Sequence, residues 1–495
     1  MKLYSIILLL FTFLIFLGCK SDPEIIFDST VTEEYRPIYH FTPESGWMND
    51  PNGLIYFEGE YHLFYQHYPE ATVWGPMHWG HAVSKDLASW ESLPIALYPD
   101  SLGYIFSGSA VFDADNSSGL GTSETPPMVA IFTHHNAEDA NTSSDTFQNQ
   151  SIAFSLDKGR TWEKYSGNPV LKNPGIRDFR DPKVSQITNS DGSNSWIMTL
   201  AVLDHINFYS SPDLINWSLL SEFGKTIGAH GGVWECPDLL PFKTPSGEDK
   251  WVLLVSINPG GPQNGSATQY FIGDFVNGQF TPDDAIIRWI DYGPDNYAGV
   301  TWSNLPAEQN RTLFMGWMSN WLYANEVPTK AWRSAMTVPR ELNLFDVDGT
   351  LLLKSAPAKE LEKLRAEEFN ISDKKSGLPS EAVEITAEIS TDSFSMTLSN
   401  ELGESLIISK ENGLVSIDRR NSGKSGFQRD FAAIHSAPMS WEAKDLRIYL
   451  DAASIELFVN DGELAITSIV FSNSAWKNIE VSENVTSLKI YNLKK

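Results

Sequence analysis

Between residues 37 and 345 the sequence carries no long stretch of helical periodicity; short apolar runs alternate there with Gly, Asn, Asp and Pro turns. Residues 61–65, 128–133, 151–155, 196–202, 251–257 and 312–317 are such runs, each of strand length. A weak repeat overlies them. Ser84-Lys-Asp86-Leu-Ala-Ser-Trp90 and Ser211-Pro-Asp213-Leu-Ile-Asn-Trp217 share one spacing, and Ser155-Leu-Asp157-Lys-Gly-Arg-Thr-Trp162 adds one residue to it. The aspartates recur at intervals of 71 and 56 residues, the length of a four-stranded propeller blade with generous loops. A region of about 310 residues then holds about five blades. The expectation is an all-β, five-bladed propeller over 37–345, its Asp-turn-Trp units serving as outer-strand turns that fix each blade.

At 495 residues the chain exceeds what one core ordinarily serves. Residues 357–368 are rich in Ala, Leu, Glu, Lys and Arg behind Pro357, which predicts a helix within a linker over 346–368. Beyond it, residues 382–389, 393–399, 405–409, 413–418, 447–450, 454–460 and 464–471 alternate polar with apolar as strands do, and Val459-Asn-Asp-Gly462 signals a tight turn. Residues 369–495 therefore read as a second β domain, a sandwich.

The first 18 residues read as an export signal. Lys2 supplies positive charge, residues 6–17 form an apolar run too short to span a bilayer, and Phe16-Leu17-Gly18-Cys19 follows. A small residue before Cys resembles a bacterial lipoprotein processing site, with Phe16 standing where Leu is usual. Cys19 would then carry lipid and residues 19–36 would form a polar tether. The expected location is that of an exported lipoprotein, anchored in a membrane and facing the periplasm or the cell surface. The only other cysteine is Cys236, so stability must come from core packing without disulfides. The formal charge of −27 opposes nucleic acid as a partner and leaves neutral ligands open. Sixteen tryptophans and 12% aromatic residues suit sugar rings, although β-rich cores account for most of them.

Three segments of the first domain concentrate carboxylates among aromatics and turn residues: Trp47-Met-Asn49-Asp50-Pro51-Asn52-Gly53, Phe179-Arg180-Asp181-Pro182 and Trp234-Glu235-Cys236-Pro237-Asp238. Each acid has a proline one or two positions later, which restricts the backbone that aims it. Inner strands of a propeller converge on one axial cavity, so acids from three blades can meet there. Buried together, the three cannot all ionise comfortably, and at least one must hold its proton. Glycoside hydrolysis needs such a set: one acid attacks as an anion and another donates a proton. Taken singly, Asp50 also reads as a turn former, Arg180-Asp181 as a structural ion pair and Glu235 as a loop acid.

In this order and spacing the three segments resemble glycoside hydrolase family 32, the invertases, inulinases and levanases. The likeness extends to Trp74-Gly-Pro-Met-His-Trp79-Gly-His81, Phe106-Ser107-Gly108-Ser109, Asp291-Tyr-Gly-Pro-Asp295-Asn-Tyr297-Ala298, and Gly316-Trp317 through Trp332-Arg333 to Pro339-Arg340-Glu341-Leu342. The second domain fits that family's sandwich in position and size. The resemblance implies Asp50 as a nucleophile that forms a fructosyl-enzyme, and Glu235 as the acid/base. It implies Asp181 as the group holding ring hydroxyls and stabilising the transition state, with Arg180 paired to it. Asn49, Gln66 and Ser107 match positions that hold fructose. Trp47, Trp74 and Trp302 would be apolar walls, each also readable as a core residue. The family needs no metal or organic cofactor, and the chain offers no Cys/His cluster for one.

Cys236 reads chiefly as a space-filling neighbour of Glu235, and His78 and His81 as supporting hydrogen-bonders. The expected activity is release of fructose from levan, inulin, fructo-oligosaccharides or sucrose, exo-acting, by retention. The alternatives are a fructosyltransferase using the same acids, a non-catalytic surface fructan-binding lipoprotein, and an inverting hydrolase of arabinose polymers. Retention of all three acids opposes the second, and the Asn-Asp-Pro-Asn-Gly and Glu-Cys-Pro-Asp segments oppose the third.

Overall fold

The structure, a computed structural model, describes residues 33–142, 144–188 and 192–494. Cys19, the export signal and the tether up to residue 32 lie outside the described residues.

Five antiparallel sheets follow one another along the chain. Their innermost strands are Gly46–Phe57, Tyr104–Phe112, Phe179–Thr188, Val233–Lys243 and Tyr297–Thr301, and these neighbour one another in succession around a common axis. The first and last also touch, and the short strand Trp332–Arg333, which follows the blade-five strand Thr312–Met318 in the chain, joins the first sheet by pairing in parallel with Gly46 and Trp47. That pairing closes the ring and shields an inner edge that would otherwise be open. The chain is thus a five-bladed β-propeller followed by a β-sandwich, as its strand pattern predicts.

The Asp-turn-Trp units connect the third to the fourth strand in blades one, two and three. Asp86 accepts from the backbone N–H groups of Ala88 and Ser89, Asp157 from Thr161, and Asp213 from Ile215 and Asn216. Leu87, Lys158 and Leu214 take φ of 61, 61 and 62°, left-handed conformations that the aspartate hydrogen bonds help to hold. Trp162 and Trp217 donate their indole N–H back to the turn, to the carbonyls of Gly159 and Leu214. These units are structural.

The helix expected over residues 357–368 is present only as a six-residue 3₁₀ helix. Thr350–Pro357 is the outer strand of the fifth blade, Lys359–Leu364 is a short 3₁₀ turn, and Arg365–Ile371 is already a strand of the sandwich. Helix propensity is a weak prior that tertiary pairing overrides. Here Leu361 and Leu364 are drawn into a core, while Arg365 grips Glu384 at 2.7 and 2.8 Å and lies over the Tyr491 ring. The hairpin from Arg340–Val347 to Thr350–Pro357 therefore occupies about half of the segment expected as linker.

The sandwich pairs two six-stranded sheets. Period-2 alternation puts Phe394, Met396 and Leu398 inside with Leu406, Ile408, Val415 and Ile417, the arrangement a sheet with one wet face requires. A buried charge network joins the sandwich to the propeller. His40 bridges Asp451 at 2.8 Å and Glu456 at 2.9 Å, and Arg340 bridges Asp291 at 2.8 Å and Glu456 at 2.5 Å. Gly293 lies so close that an added Cβ would stand 2.0 Å from the Thr467 carbonyl. The Asp291-to-Asp295 segment thus belongs to the domain interface.

Candidate active site

Every inner strand breaks register at the same end of the propeller: between Met48 and Pro51, Ile105 and Gly108, Arg180 and Lys183, Glu235 and Asp238, and Tyr297 and Val300. Each break is a bulge that turns side chains out of the pleat toward the axis. Pro51, Pro182 and Pro237 stand in or at these bulges, where a residue without an N–H costs the ladder little. Asp181 and Cys236 take φ of 65 and 44°, strained values for residues with a Cβ, held by the surrounding fold.

The bulges build one pocket of about 350 Å³, lined by Asn49, Asp50, Gln66, Trp74, Phe106, Ser107, Arg180, Asp181, Glu235 and Trp321. Asp50 is held on both oxygens, by Asn49 Nδ2 at 3.0 Å and Ser107 Oγ at 2.6 Å. Asn49 is itself fixed by the Trp47 indole N–H at 2.7 Å. Asp181 accepts the Cys236 backbone N–H at 3.1 Å, and its own N–H donates to Thr133 Oγ1 at 3.0 Å. The Cys236 thiol stands 3.5 Å from Asp50 and 3.7 Å from Asp181, joining two acids from different blades. Glu235 receives the Tyr297 hydroxyl on Oε2 and Arg180 on Oε1, at 2.9 and 3.1 Å. Gln66 is buried with its Nε2 unpartnered, a donor left free at the pocket wall.

Burial raises the Asp50 carboxyl above its ordinary value, and the nearby Glu235 adds to this, against the Ser107, Asn49 and Cys236 hydrogen bonds. Burial also pushes Asp181 up to about 7; Arg180 opposes this while Glu235 and Asp50 reinforce it. Desolvation of this kind favours the uncharged carboxyl, so near neutral pH the pocket carries fewer than three negative charges. Tyr297 and Cys236 are held far up their ranges by burial and the neighbouring acids, which keeps both as proton donors.

Of the residues singled out in the sequence, Asn49, Asp50, Gln66, Trp74, Ser107, Arg180, Asp181 and Glu235 meet in this pocket. Their surroundings revise the parts expected of Arg180, Trp47 and Trp302. Arg180 is not paired primarily with Asp181, which lies 3.9 Å away; the bulge sends its guanidinium to Glu235 and to Asp178 at 2.6 Å. Trp47 is fully buried behind the wall, stacked on Trp321 at 5.8 Å. Trp302 is a core residue, stacked on Trp90 at 6.3 Å and donating to the His62 carbonyl at 3.0 Å. His78 bonds the Pro76 carbonyl and His81 pairs with His62; neither lines the pocket. Sequence reasoning assigned no role to Tyr297, Phe106 or Trp321, although all three lie in the segments that carry the family resemblance.

Residues 40–355 match the model of the glycosyl hydrolases family 32 N-terminal domain, and residues 355–494 match that of the family 32 C-terminal domain. The chain belongs to glycoside hydrolase family 32. Among family 32 relatives, a levanase of Bacillus subtilis is 43% identical over 99% of this chain and 74% of its own length. An extracellular exo-inulinase of Aspergillus niger is 36% identical over 90% of this chain and 91% of its own. The crystal structure of the exo-inulinase from Aspergillus awamori superposes with a TM-score of 0.85 at 33% identity, covering 94% of this chain and 99% of that one. As a family 32 member the chain is a glycoside hydrolase, and its pocket of three carboxylates is where that chemistry is to be sought.

Proposed function

We propose that this protein is a retaining, exo-acting β-fructofuranosidase that releases fructose from levan, inulin, fructo-oligosaccharides or sucrose. The observation that carries this reading is the convergence of Asp50, Asp181 and Glu235 on one pocket, each aimed by a bulge of a different blade. In this reading Asp50 attacks the anomeric carbon of the fructosyl unit. Its two hydrogen bonds from Asn49 and Ser107 hold the carboxylate in one orientation for in-line approach. Glu235 protonates the leaving oxygen and afterwards takes a proton from water, while Arg180 and Tyr297 fix its plane. Asp181 accepts ring hydroxyls, and those hydrogen bonds favour its charged form. Gln66 Nε2 supplies a further hydrogen bond to the sugar, and Trp74, Phe106 and Trp321 supply its apolar walls.

The exo-inulinase and levanase relatives support a fructan substrate, and an invertase of Schizosaccharomyces pombe, 39% identical, supports sucrose. Lipidation of Cys19 would hold the enzyme at an outward-facing membrane, where a polymer must be trimmed before uptake; the short apolar run ending in Gly18-Cys19 supports this. The test is incubation of the purified enzyme with levan, inulin and sucrose separately, resolving the products over time. Fructose as the sole early product from levan and inulin, with glucose released alongside it only from sucrose, supports an exo-fructosidase, and the relative rates name its linkage. Early oligosaccharides point to an endo-enzyme, and release from none of the three overturns the reading.

A further inference from the structure

Two of the pocket's three aromatic walls hang on one loop. Trp321 stands in the segment that follows the blade-five strand Thr312–Met318. Four residues on, Asn325 Oδ1 accepts the backbone N–H of Trp74 at 3.0 Å. The loop's near end is pinned to the propeller: Asn320 Nδ2 donates to the Pro294 carbonyl at 2.8 Å, and the Trp321 N–H donates to Ser266 Oγ at 3.0 Å. Between Trp321 and Asn325 it is held from the other domain. The Tyr323 hydroxyl donates to Asp295 Oδ1 at 2.6 Å and accepts Arg419 Nη2 at 3.1 Å.

Arg419 belongs to the sandwich, in strand Leu414–Asn421, and every group in this clamp is buried. Its Nη1 reaches Asp295 Oδ2 at 2.8 Å and the Ile469 carbonyl at 2.9 Å; its Nε reaches the Phe431 carbonyl at 2.7 Å. The guanidinium plane lies 3.8 Å over the Phe431 ring, which meets Tyr323 edge-on at 5.2 Å. A rigid planar fork satisfied on all sides fixes the position of what it binds. Tyr323 therefore has one place to be, and Trp321 two residues earlier has one also.

We infer that the C-terminal sandwich positions the sugar-binding walls of the propeller pocket, with Arg419 and Tyr323 as the positioning residues. The sandwich is then part of substrate recognition although it contributes no side chain to the pocket lining. The inference rests on the reading of the pocket as the fructosyl site. A loosened clamp weakens the hold on the sugar in ground state and transition state alike, so it raises KM and leaves kcat nearly unchanged.

Steady-state kinetics of Tyr323→Phe on sucrose and on a fructosyl-sucrose trisaccharide test this. The variant keeps the ring and its packing and removes only the hydroxyl that joins Asp295 to Arg419. The expected result is KM raised about three- to tenfold with kcat within about twofold. In a Trp321→Ala background the same substitution should add a smaller rise than in the wild type, because one of the two walls held by the loop is already gone. Arg419→Lys should reproduce the effect in the same direction. His40→Gln, which loosens the same domain interface away from the loop, should lower the melting temperature with KM unchanged. Unchanged KM in Tyr323→Phe, independent effects of Tyr323→Phe and Trp321→Ala, or an equal KM rise in His40→Gln would each overturn the inference alone. A wild-type enzyme that releases no fructose from either substrate removes the fructosidase reading and this inference with it, and is seen before any variant is compared.

Discussion

Arg180 donates from Nε and Nη2 to one oxygen of Glu235, at 3.1 and 2.9 Å, and stands 3.9 Å from its own chain neighbour Asp181. Its positive charge nevertheless opposes the rise of Asp181, which burial pushes up to about 7. If Asp181 must be ionised to receive the sugar, kcat/KM falls as pH drops through that value, giving an acid limb near 7. Removing the cation in Arg180→Gln raises Asp181 further, so the limb should move to higher pH, with kcat/KM at pH 7 lowered about a hundredfold. The pH profile of kcat/KM checks this; a limb that stays in place shows that another group sets it.

Asp50→Ala and Glu235→Ala should each lower turnover by about three to five orders of magnitude, since acid–base and nucleophilic roles both vanish with the carboxyl. Far-ultraviolet circular dichroism should remain that of the wild type. Azide should restore release from a substrate with a good leaving group in Glu235→Ala, because a small anion can do the second step unaided. Wild-type-like turnover in either variant refutes the assigned chemistry.

Trp302 and Trp74 should separate cleanly. Trp302→Ala empties a buried site between Trp90 and Tyr61 and should cost about 3–5 kcal/mol of stability. KM of the folded fraction should not move. Trp74 is 40% exposed at the pocket rim, so Trp74→Ala should raise KM and shift stability by less than about 1 kcal/mol. Denaturant unfolding beside steady-state kinetics reads both; exchanged outcomes would restore Trp302 as a sugar wall.

His40, buried between Asp451 and Glu456, has its pKa raised from 6.5 to about 9: the two carboxylates stabilise the imidazolium against the opposing cost of burial. A histidine raised on folding stabilises fully below its unfolded value and loses that contribution as pH rises through the folded one. The propeller–sandwich interface should therefore weaken between pH 6.5 and 9, by on the order of 3 kcal/mol. Melting temperatures across this window should fall in the wild type and flatten in His40→Gln; parallel slopes would assign the loss to other groups.

Cys19→Ala should move the protein from the membrane to the soluble fraction of expressing cells, because one reactive thiol at the processing site carries the proposed anchor. Unchanged fractionation after a salt and carbonate wash contradicts lipidation.

Strand alternation, the Asp-turn-Trp connections and the tight turn after Val459 are local physics, and they were legible in the sequence because each depends on residues a few positions apart. Asp50, Asp181 and Glu235 were legible for a related reason: each sits in a compact motif whose proline and aromatic neighbours resemble a known family's. Residues 357–368 are helical only over Lys359–Leu364, because the force that extends Arg365 comes from Glu384 and Tyr491, distant in the chain. The same holds for Arg180, whose partner depends on which blade stands beside it, and for Trp302, whose burial depends on Trp90 and His62. Tyr297 reaches Glu235, and Trp321 reaches the pocket, only once the ring is closed and the sandwich is docked. The sequence by itself therefore determined the strand architecture and the three acids. The tertiary structure decided which side chains orient those acids and which aromatics line their pocket, because both depend on contacts made only across closed sheets.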